Sequence, residues 1–270
     1  MASNGMEIKL PESEPEPTLV GSLNSISKVI AIMSGKGGVG KSTVTALLAS
    51  ALTKSGFRVG ILDADITGPS QPRAFGIKSH GLTGSEFGIT PLQTRSGIKM
   101  ISTNFMLKEE DDPVVWRGPL LAGAVKQFWE ETDWQDLDYL VVDLPPGTGD
   151  VPLTVLQSLP INGLVIVSSP QNLVQMVVNK AVKMAKQMQI PILGLVENMS
   201  EYICPQCGEA LKIFGESQGS SVADNMGIDF LGSLPWDTRL NQLVDKGEVE
   251  EYYSEELAGI IEKIVARMEN

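Results

Sequence analysis

The stretch Ser34-Gly35-Lys36-Gly37-Gly38-Val39-Gly40-Lys41-Ser42-Thr43 restricts what this chain can fold into more than any bulk property does. It satisfies G-x-x-x-x-G-K-[ST] at Gly35, Gly40, Lys41 and Ser42, with the apolar run KVIAIM (28–33) before it and the Ala- and Leu-rich segment from Val44 to Ser55 after it. Strand, glycine loop and helix in that order are the setting in which such a loop binds phosphate. The glycines let successive backbone N–H groups turn toward one anion, and the helix presents its positive end to it. Gly35, Lys36, Gly37, Gly38, Val39, Gly40, Lys41, Ser42 and Thr43 are therefore expected to cradle a nucleotide's phosphates, with Lys41 reaching the β- and γ-phosphates and Ser42 Oγ ligating Mg²⁺. Lys36 is an extra lysine within the loop. One lysine already neutralises the phosphates, so the second is either an incidental surface charge or a group that serves a phosphate from elsewhere.

Five further apolar runs follow: FRVGIL (57–62), YLVVDL (139–144), GLVIVS (163–168), ILGLVE (192–197) and FLGSLP (230–235). Strands that are apolar nearly throughout are buried on both faces, whereas half-exposed antiparallel strands alternate. Helical patterns are expected at about 42–55, 119–131, 172–188, 217–226, 238–246 and 254–268. Regular alternation of the two implies right-handed crossovers, hence an α/β fold with a mostly parallel central sheet flanked by helices on both faces. Residues 66–113, rich in Gly, Ser and Pro, read as long loops with one short strand near Ile98 to Ile101. Residues 1–25 read as a flexible acidic lead-in, because Glu12, Glu14 and Glu16 alternate with Pro11, Pro15 and Pro17. The folded domain is expected over 26–270, starting in earnest near Ser27. In the last helix Leu257, Ile260, Ile261, Ile264, Val265 and Met268 share a face. Glu255, Glu256, Glu262 and Glu269 outnumber Lys263 and Arg267 on its polar side, so that face reads as core rather than membrane-binding.

Charge narrows the partners. With 33 acidic residues against 21 basic ones the net charge is -12, which gives no bulk attraction to nucleic acid or an anionic membrane. No apolar run approaches the ~20 residues a membrane helix needs, and the first residues lack the apolar core of a signal peptide. A soluble, cytoplasmic protein is expected. In a reducing compartment the two cysteines, Cys204 and Cys207 in C-x-x-C spacing, point to metal or redox chemistry rather than a structural disulfide. A redox pair belongs at a helix start in a thioredoxin-like unit, but CPQCGE reads as a loop. Two thiolates cannot complete a tetrahedral site, and the one histidine, His80, is distant in sequence. A symmetric homodimer would solve the count by bringing two pairs together. Spacing alone leaves zinc and iron-sulfur both open. Asp143, closing the strand YLVVD, stands where a carboxylate would help hold Mg²⁺, and Asp63 and Asp65 follow the second strand.

GKGGVGKST resembles the deviant phosphate loop of the MinD/ParA-like P-loop ATPases (the SIMIBI class). In that family the early lysine contacts the nucleotide of a partner subunit, so the resemblance implies that Lys36 acts across a homodimer. It further implies that Asp65, in the switch I stretch ILDADITGPSQP, orients the attacking water in ATP hydrolysis, while Asp63 serves magnesium or loop structure. LPPGTGD (144–150) resembles switch II. Asn198 stands where these ATPases read the adenine edge, and Pro235 and Asp237 match a second base-side loop. Together with VVWRGP (114–119), ENMSEYICPQCG and IFGE (213–216), these motifs narrow the resemblance to the Mrp/ApbC and Nbp branch of iron-sulfur cluster carriers, over about residues 22–268. What that branch implies is a 4Fe-4S cluster bridging two subunits through Cys204 and Cys207, delivered to apo iron-sulfur proteins, with scaffold proteins as further partners. Many members add an N-terminal domain or an N-terminal cysteine cluster. Neither is expected here, nor therefore a second stably held cluster or recruitment through an added domain. The competing readings are a positioning ATPase of the MinD or ParA kind and a zinc-bridged dimeric ATPase.

Overall fold

Residues 24–65, 68, 70–78, 81–86, 88–106, 118–171 and 174–269 are described by a computed structural model of the chain. β1 (Ser25–Ser34) leads through the glycine loop into α1 (Lys41–Lys54), and β2 (Val59–Asp63) precedes the short α2 (Gln71–Ala74). The irregular stretch holds two antiparallel pairs, β3 (Thr83–Ser85) with β4 (Gly88–Thr90) and β5 (Leu92–Gln93) with β6 (Lys99–Ser102). Then α3 (Gly118–Glu131), β7 (Asp136–Asp143), α4 (Asp150–Ser158), β8 (Gly163–Ser168), α5 (Val174–Gln187) and β9 (Ile192–Asn198) alternate. A small hairpin of β10 (Tyr202–Ile203) and β11 (Ala210–Leu211) precedes α6 (Gly219–Met226), β12 (Phe230–Leu234), α7 (Thr238–Lys246) and α8 (Glu255–Glu269).

All six apolar runs lie in one eight-stranded sheet of order β12-β9-β8-β1-β7-β2-β6-β5, parallel except at the β5–β6 edge. Side-chain alternation along each strand feeds two cores. Ile30, Ile32, Val165 and Val196 pack with α1, α7 and α8, whereas Ala31, Met33, Ile166 and Leu195 pack with α3, α4, α5 and α6. Leu257, Ile260, Ile261, Ile264 and Met268 of α8 are buried against the first core, which is the packing role expected of that face. Among the described residues no helix is long and apolar enough to cross a membrane.

The sequence reading missed α4. Its start coincides with the end of the LPPGTGD loop, it carries Pro152, and it is only nine residues long, so loop chemistry masked it. Proline is tolerated in a first turn because the N–H it lacks has no helical partner there. Val155 and Leu156 then bury the inner side of the helix. The fold also begins earlier than Ser27. Asn24 Nδ2 donates to the Thr132 carbonyl at 2.7 Å and the Ser25 N–H to the Gln135 carbonyl at 3.0 Å, so β1 is anchored from its first residue. The expected strand near Ile98 to Ile101 is β6. The lead-in up to residue 23, His80, residues 114–117 of the VVWRGP motif and the start of the helix expected from 172 lie outside the described residues.

Candidate functional site

Parallel register brings the carboxyl ends of β1, β7 and β2 level, with Ile32 beside Asp143 and Asp143 beside Asp63. Ligands of open α/β sheets bind at that edge. The glycine loop crosses it with little room to spare. At Gly40 the backbone is left-handed (φ +77°) and a Cβ would stand 2.1 Å from Asn198 Nδ2; at Gly35 one would stand 2.0 Å from Val177 Cγ1 of α5. Gly40 is also the N-cap of α1, and no side chain satisfies that helix start. Its first N–H groups are free for an anion, as a phosphate site requires.

Lys41 is nearly fully buried and lies among the acidic residues of the edge. Its ammonium is 2.6 Å from Asp143 Oδ1 and 3.4 Å from Asp65 Oδ2, and it donates to Ser42 Oγ at 3.2 Å. Burial alone would lower its pKa, but the Asp143 and Asp65 carboxylates outweigh burial and hold it above the ordinary lysine value. Thr45 Oγ1 donates to Asp143 Oδ1 at 3.0 Å, and Gln71 Nε2 donates to Asp143 Oδ2 at 2.9 Å and to the Ser42 carbonyl at 2.8 Å. Gln71 Oε1 is buried without a partner. Hydroxyl, carboxylate and an idle acceptor gathered at one point form a hard-oxygen environment suited to Mg²⁺, which keeps much of its water.

Asp63 is fully buried; its Oδ1 accepts from the Asp65 N–H at 3.1 Å and its Oδ2 faces Ser102 Oγ at 3.1 Å. Burial first, and the Asp143 carboxylate second, push its pKa well above the usual carboxylate range. A raised folded pKa contributes stability that is present at acid pH and is lost as pH rises through that value. Asp63→Asn keeps the acceptor for Asp65 and gains a donor for Ser102. It is therefore expected to stabilise the nucleotide-free protein by about 1 kcal/mol near pH 8 and by less near pH 4. Thermal unfolding at the two pH values checks this, and an equal loss at both would contradict it.

The remaining expected site residues divide into two groups. Lys36 is folded within its own chain, its ammonium hydrogen-bonded to Gln171 Oε1 in the segment after β8. Asn198 Nδ2 donates to the Val39 carbonyl at 3.0 Å, so the strand-end amide braces the glycine loop. Pro235 follows Leu234, which pairs with Asn198, so those two residues stand at adjacent strand ends. Asp237 caps α7 by accepting from the Arg239 N–H at 2.7 Å. Burial and the same Asp237 carboxylate push the Tyr252 phenol up to about 12.

Cys204 and Cys207 occupy the turn between β10 and β11, both as free thiols, with Cys207 exposed. The turn is closed by the Gly208 N–H on the Cys204 carbonyl (2.8 Å) and the Cys204 N–H on the Glu209 carbonyl (2.9 Å). The Cys207 and Gln206 N–H groups address Cys204 Sγ, the Cys207 thiol adds to them, and the Cys204 pKa falls below its ordinary value. Ile203, Leu211 and Ile213 around the turn are exposed. Phe214 stacks on Trp236 with ring centroids 5.1 Å apart. Among the described residues no cluster of three or more His, Cys, Asp or Glu could hold a metal.

Two buried polar residues, Gln71 and Glu197, escaped the sequence reading. Gln71 sits inside the quoted DADITGPSQP motif but carried no role, because an amide has no charge to attract notice. Glu197 had a visible signal, as the sole charged residue in the strand run ILGLVE (192–197), and charges in doubly buried strands are costly unless hydrogen-bonded.

Residues 25–269 match the family described as the NUBPL iron-transfer P-loop NTPase. The chain belongs to that family. The iron-sulfur cluster carrier protein of Clostridium perfringens is 47% identical over 238 residues, 86% of this chain and 84% of that one. The carrier protein of Methanocaldococcus jannaschii is 43% identical over 92% of this chain and 87% of its own length. The iron-sulfur cluster transfer protein NUBPL of Dictyostelium discoideum is 44% identical over 87% of this chain and 72% of its own. Among solved structures, the nucleotide-binding protein of Archaeoglobus fulgidus in complex with ADP superposes with a TM-score of 0.78 at 48% identity, covering 86% of this chain and 91% of that one. The cell division ATPase MinD of Pyrococcus furiosus, with a TM-score of 0.63 at 20% identity over 90% of this chain and 98% of that one, shares the fold. This iron-transfer NTPase thus combines the MinD-like architecture with a cysteine hairpin.

Proposed function

We propose that the protein is an ATP-dependent iron-sulfur cluster carrier, in which two copies grip one 4Fe-4S cluster between their Cys204 and Cys207 thiolates and release it to apo iron-sulfur proteins or to scaffold proteins. The observation that carries this reading is the exposed C-x-x-C turn, whose own N–H groups address Cys204 Sγ and lower its pKa, which favours the thiolate form. Only the thiolate ligates metal, and four are needed for a cubane cluster. A two-fold axis beside the turn supplies the second pair, and the exposed Ile203, Leu211 and Ile213 offer apolar surface for that contact. A reducing compartment such as the cytoplasm keeps the thiols free to do this.

In the nucleotide site, Gly35 to Thr43 hold the phosphates, with Lys41 leaving the Asp143 carboxylate to meet them. Ser42 and Asp143 would hold Mg²⁺, which supplies neutralising charge at the β- and γ-phosphates. Asp65 orients the attacking water, Lys36 leaves Gln171 to serve the nucleotide of the partner subunit, and Asn198, Pro235 and Asp237 line the adenine side. The ADP complex of the Archaeoglobus relative supports nucleotide binding.

Anaerobic reconstitution with iron and sulfide, read by metal and sulfide counting and by the mass of the assembly, tests the proposal. About four irons with matching sulfide per dimer are expected. Zinc in place of iron and sulfide, or metal on a monomer, would overturn it.

A further inference from the structure

The nucleotide loop and the cysteine hairpin meet the same two residues. β9 ends in Glu197 and Asn198, and strand alternation sends their side chains to opposite faces of the sheet. Asn198 faces α1, donates to the Val39 carbonyl, and lies where a Cβ on Gly40 would collide with it. Glu197 faces α6 and is fully buried. Its Oε1 accepts from the Gln218 N–H at 3.0 Å and its Oε2 from Ser217 Oγ. Residues 202–216, with both cysteines, therefore leave the sheet just after Asn198 and return to a clamp formed by the residue before it.

Four further contacts stiffen this junction. Met199 adopts a left-handed backbone (φ +59°) that non-glycine residues seldom take, and its Cε lies 3.4 Å from the Cβ position of Gly40. The Ser200 N–H donates to the Leu234 carbonyl at 3.0 Å and the Trp236 N–H to the Glu201 carbonyl at 2.7 Å. Trp236 in turn stacks on Phe214, at the returning end of the hairpin. No cation neutralises Glu197 among the described ion pairs, and the groups facing it are the Ser217 hydroxyl and the Gln218 N–H. A buried carboxyl used in this way has a local job, since an apolar residue would fill a doubly buried strand end at lower cost.

We propose that Glu197 is a positioning residue for the cysteine hairpin, and that the Glu197–Asn198 pair ties the hairpin's geometry to occupancy of the glycine loop. A nucleotide that draws Asn198 or shifts Val39 moves the end of β9, and the same backbone carries the clamp that sets where Cys204 and Cys207 stand. The proposal rests on the carrier reading above and adds a route inside one chain. Such a coupling is reciprocal in binding free energy, so the clamp also affects nucleotide affinity when the cluster is loaded.

Hydrogen exchange of residues 202–218 with and without ADP and Mg²⁺, in wild type, Glu197→Ala and Glu197→Gln, tests it. In wild type, ADP is expected to change exchange in the hairpin about fivefold or more, the lower end of typical coupling. Glu197→Ala leaves two donors unpaired, so exchange there should rise about tenfold and lose its response to ADP. Glu197→Gln can still accept from Gln218 and donate to Ser217, and should restore both behaviours. A wild-type hairpin indifferent to bound ADP, or an Ala variant that responds as wild type does, would overturn the proposal. If Glu197→Ala fails to fold, Ser217→Ala removes one clamp bond from the loop side and is judged by the same two outcomes. Cluster loading and ADP affinity of the wild-type protein test the carrier reading separately.

Discussion

Lys41→Met should abolish measurable ATP turnover, lowering kcat by about 10²–10³ as expected for loss of one preorganised charge stabiliser at the transferring phosphoryl group. The structure adds a second consequence. Lys41 holds Asp143 at 2.6 Å and Asp65 at 3.4 Å in a buried site, with Asp63 close enough to add to its field. Removing one partner of a buried pair costs about 3–5 kcal/mol, because the remaining charge is left uncompensated. The nucleotide-free variant should therefore melt well below wild type, and Lys41→Met combined with Asp143→Asn should recover much of that loss without recovering turnover. Steady-state ATP hydrolysis and thermal unfolding of both variants check this. Unchanged stability of the single variant would show that the Lys41–Asp143 contact contributes nothing to the nucleotide-free fold.

Cys204→Ser should take cluster content from about four irons per dimer to none, since one thiolate on each of the two chains supplies only two of the four ligands a cubane cluster needs. Cys207→Ser should do the same. The fold should not notice: both residues sit in an exposed turn of a two-stranded hairpin, where substitutions usually change stability by no more than about 0.5 kcal/mol. Iron and sulfide counts set beside melting temperatures check the prediction. A fully loaded cluster in either variant would refute the ligand assignment.

These two expectations draw on different depths of information. The glycine loop was legible because its residues are consecutive and its chemistry depends on backbone conformation. Gly40 at φ +77° and an uncapped α1 are what that spacing foretold. The sheet was legible because strands buried on both faces leave no polar side to confuse their pattern. α4 was not, because Pro152 and a glycine-rich approach carry loop signals that only tertiary burial of Val155 and Leu156 overrides. Gln71 was not singled out because its meaning lies in contacts with Ser42 and Asp143, 29 and 72 positions away. Asn198 was singled out only through the family resemblance, as an adenine-reading residue; its bond to the Val39 carbonyl spans 159 positions and no local pattern encodes it.

The sequence by itself determined that the chain would form a parallel sheet carrying a phosphate loop, and that its two cysteines would stand together in one turn. Period, glycine placement and C-x-x-C spacing are local properties that act over one strand or one turn. Only the tertiary structure decided that Lys41 would rest on Asp143 and Asp65, that Lys36 would fold onto Gln171, and that Glu197 and Asn198 would face opposite sides of one strand end, toward the cysteine hairpin and the glycine loop. Those outcomes depend on strand order, which places β9 two strands from β1 and β7 directly beside it. That order is settled by how the helices of both faces pack against the sheet, a collective property that no single stretch of residues contains.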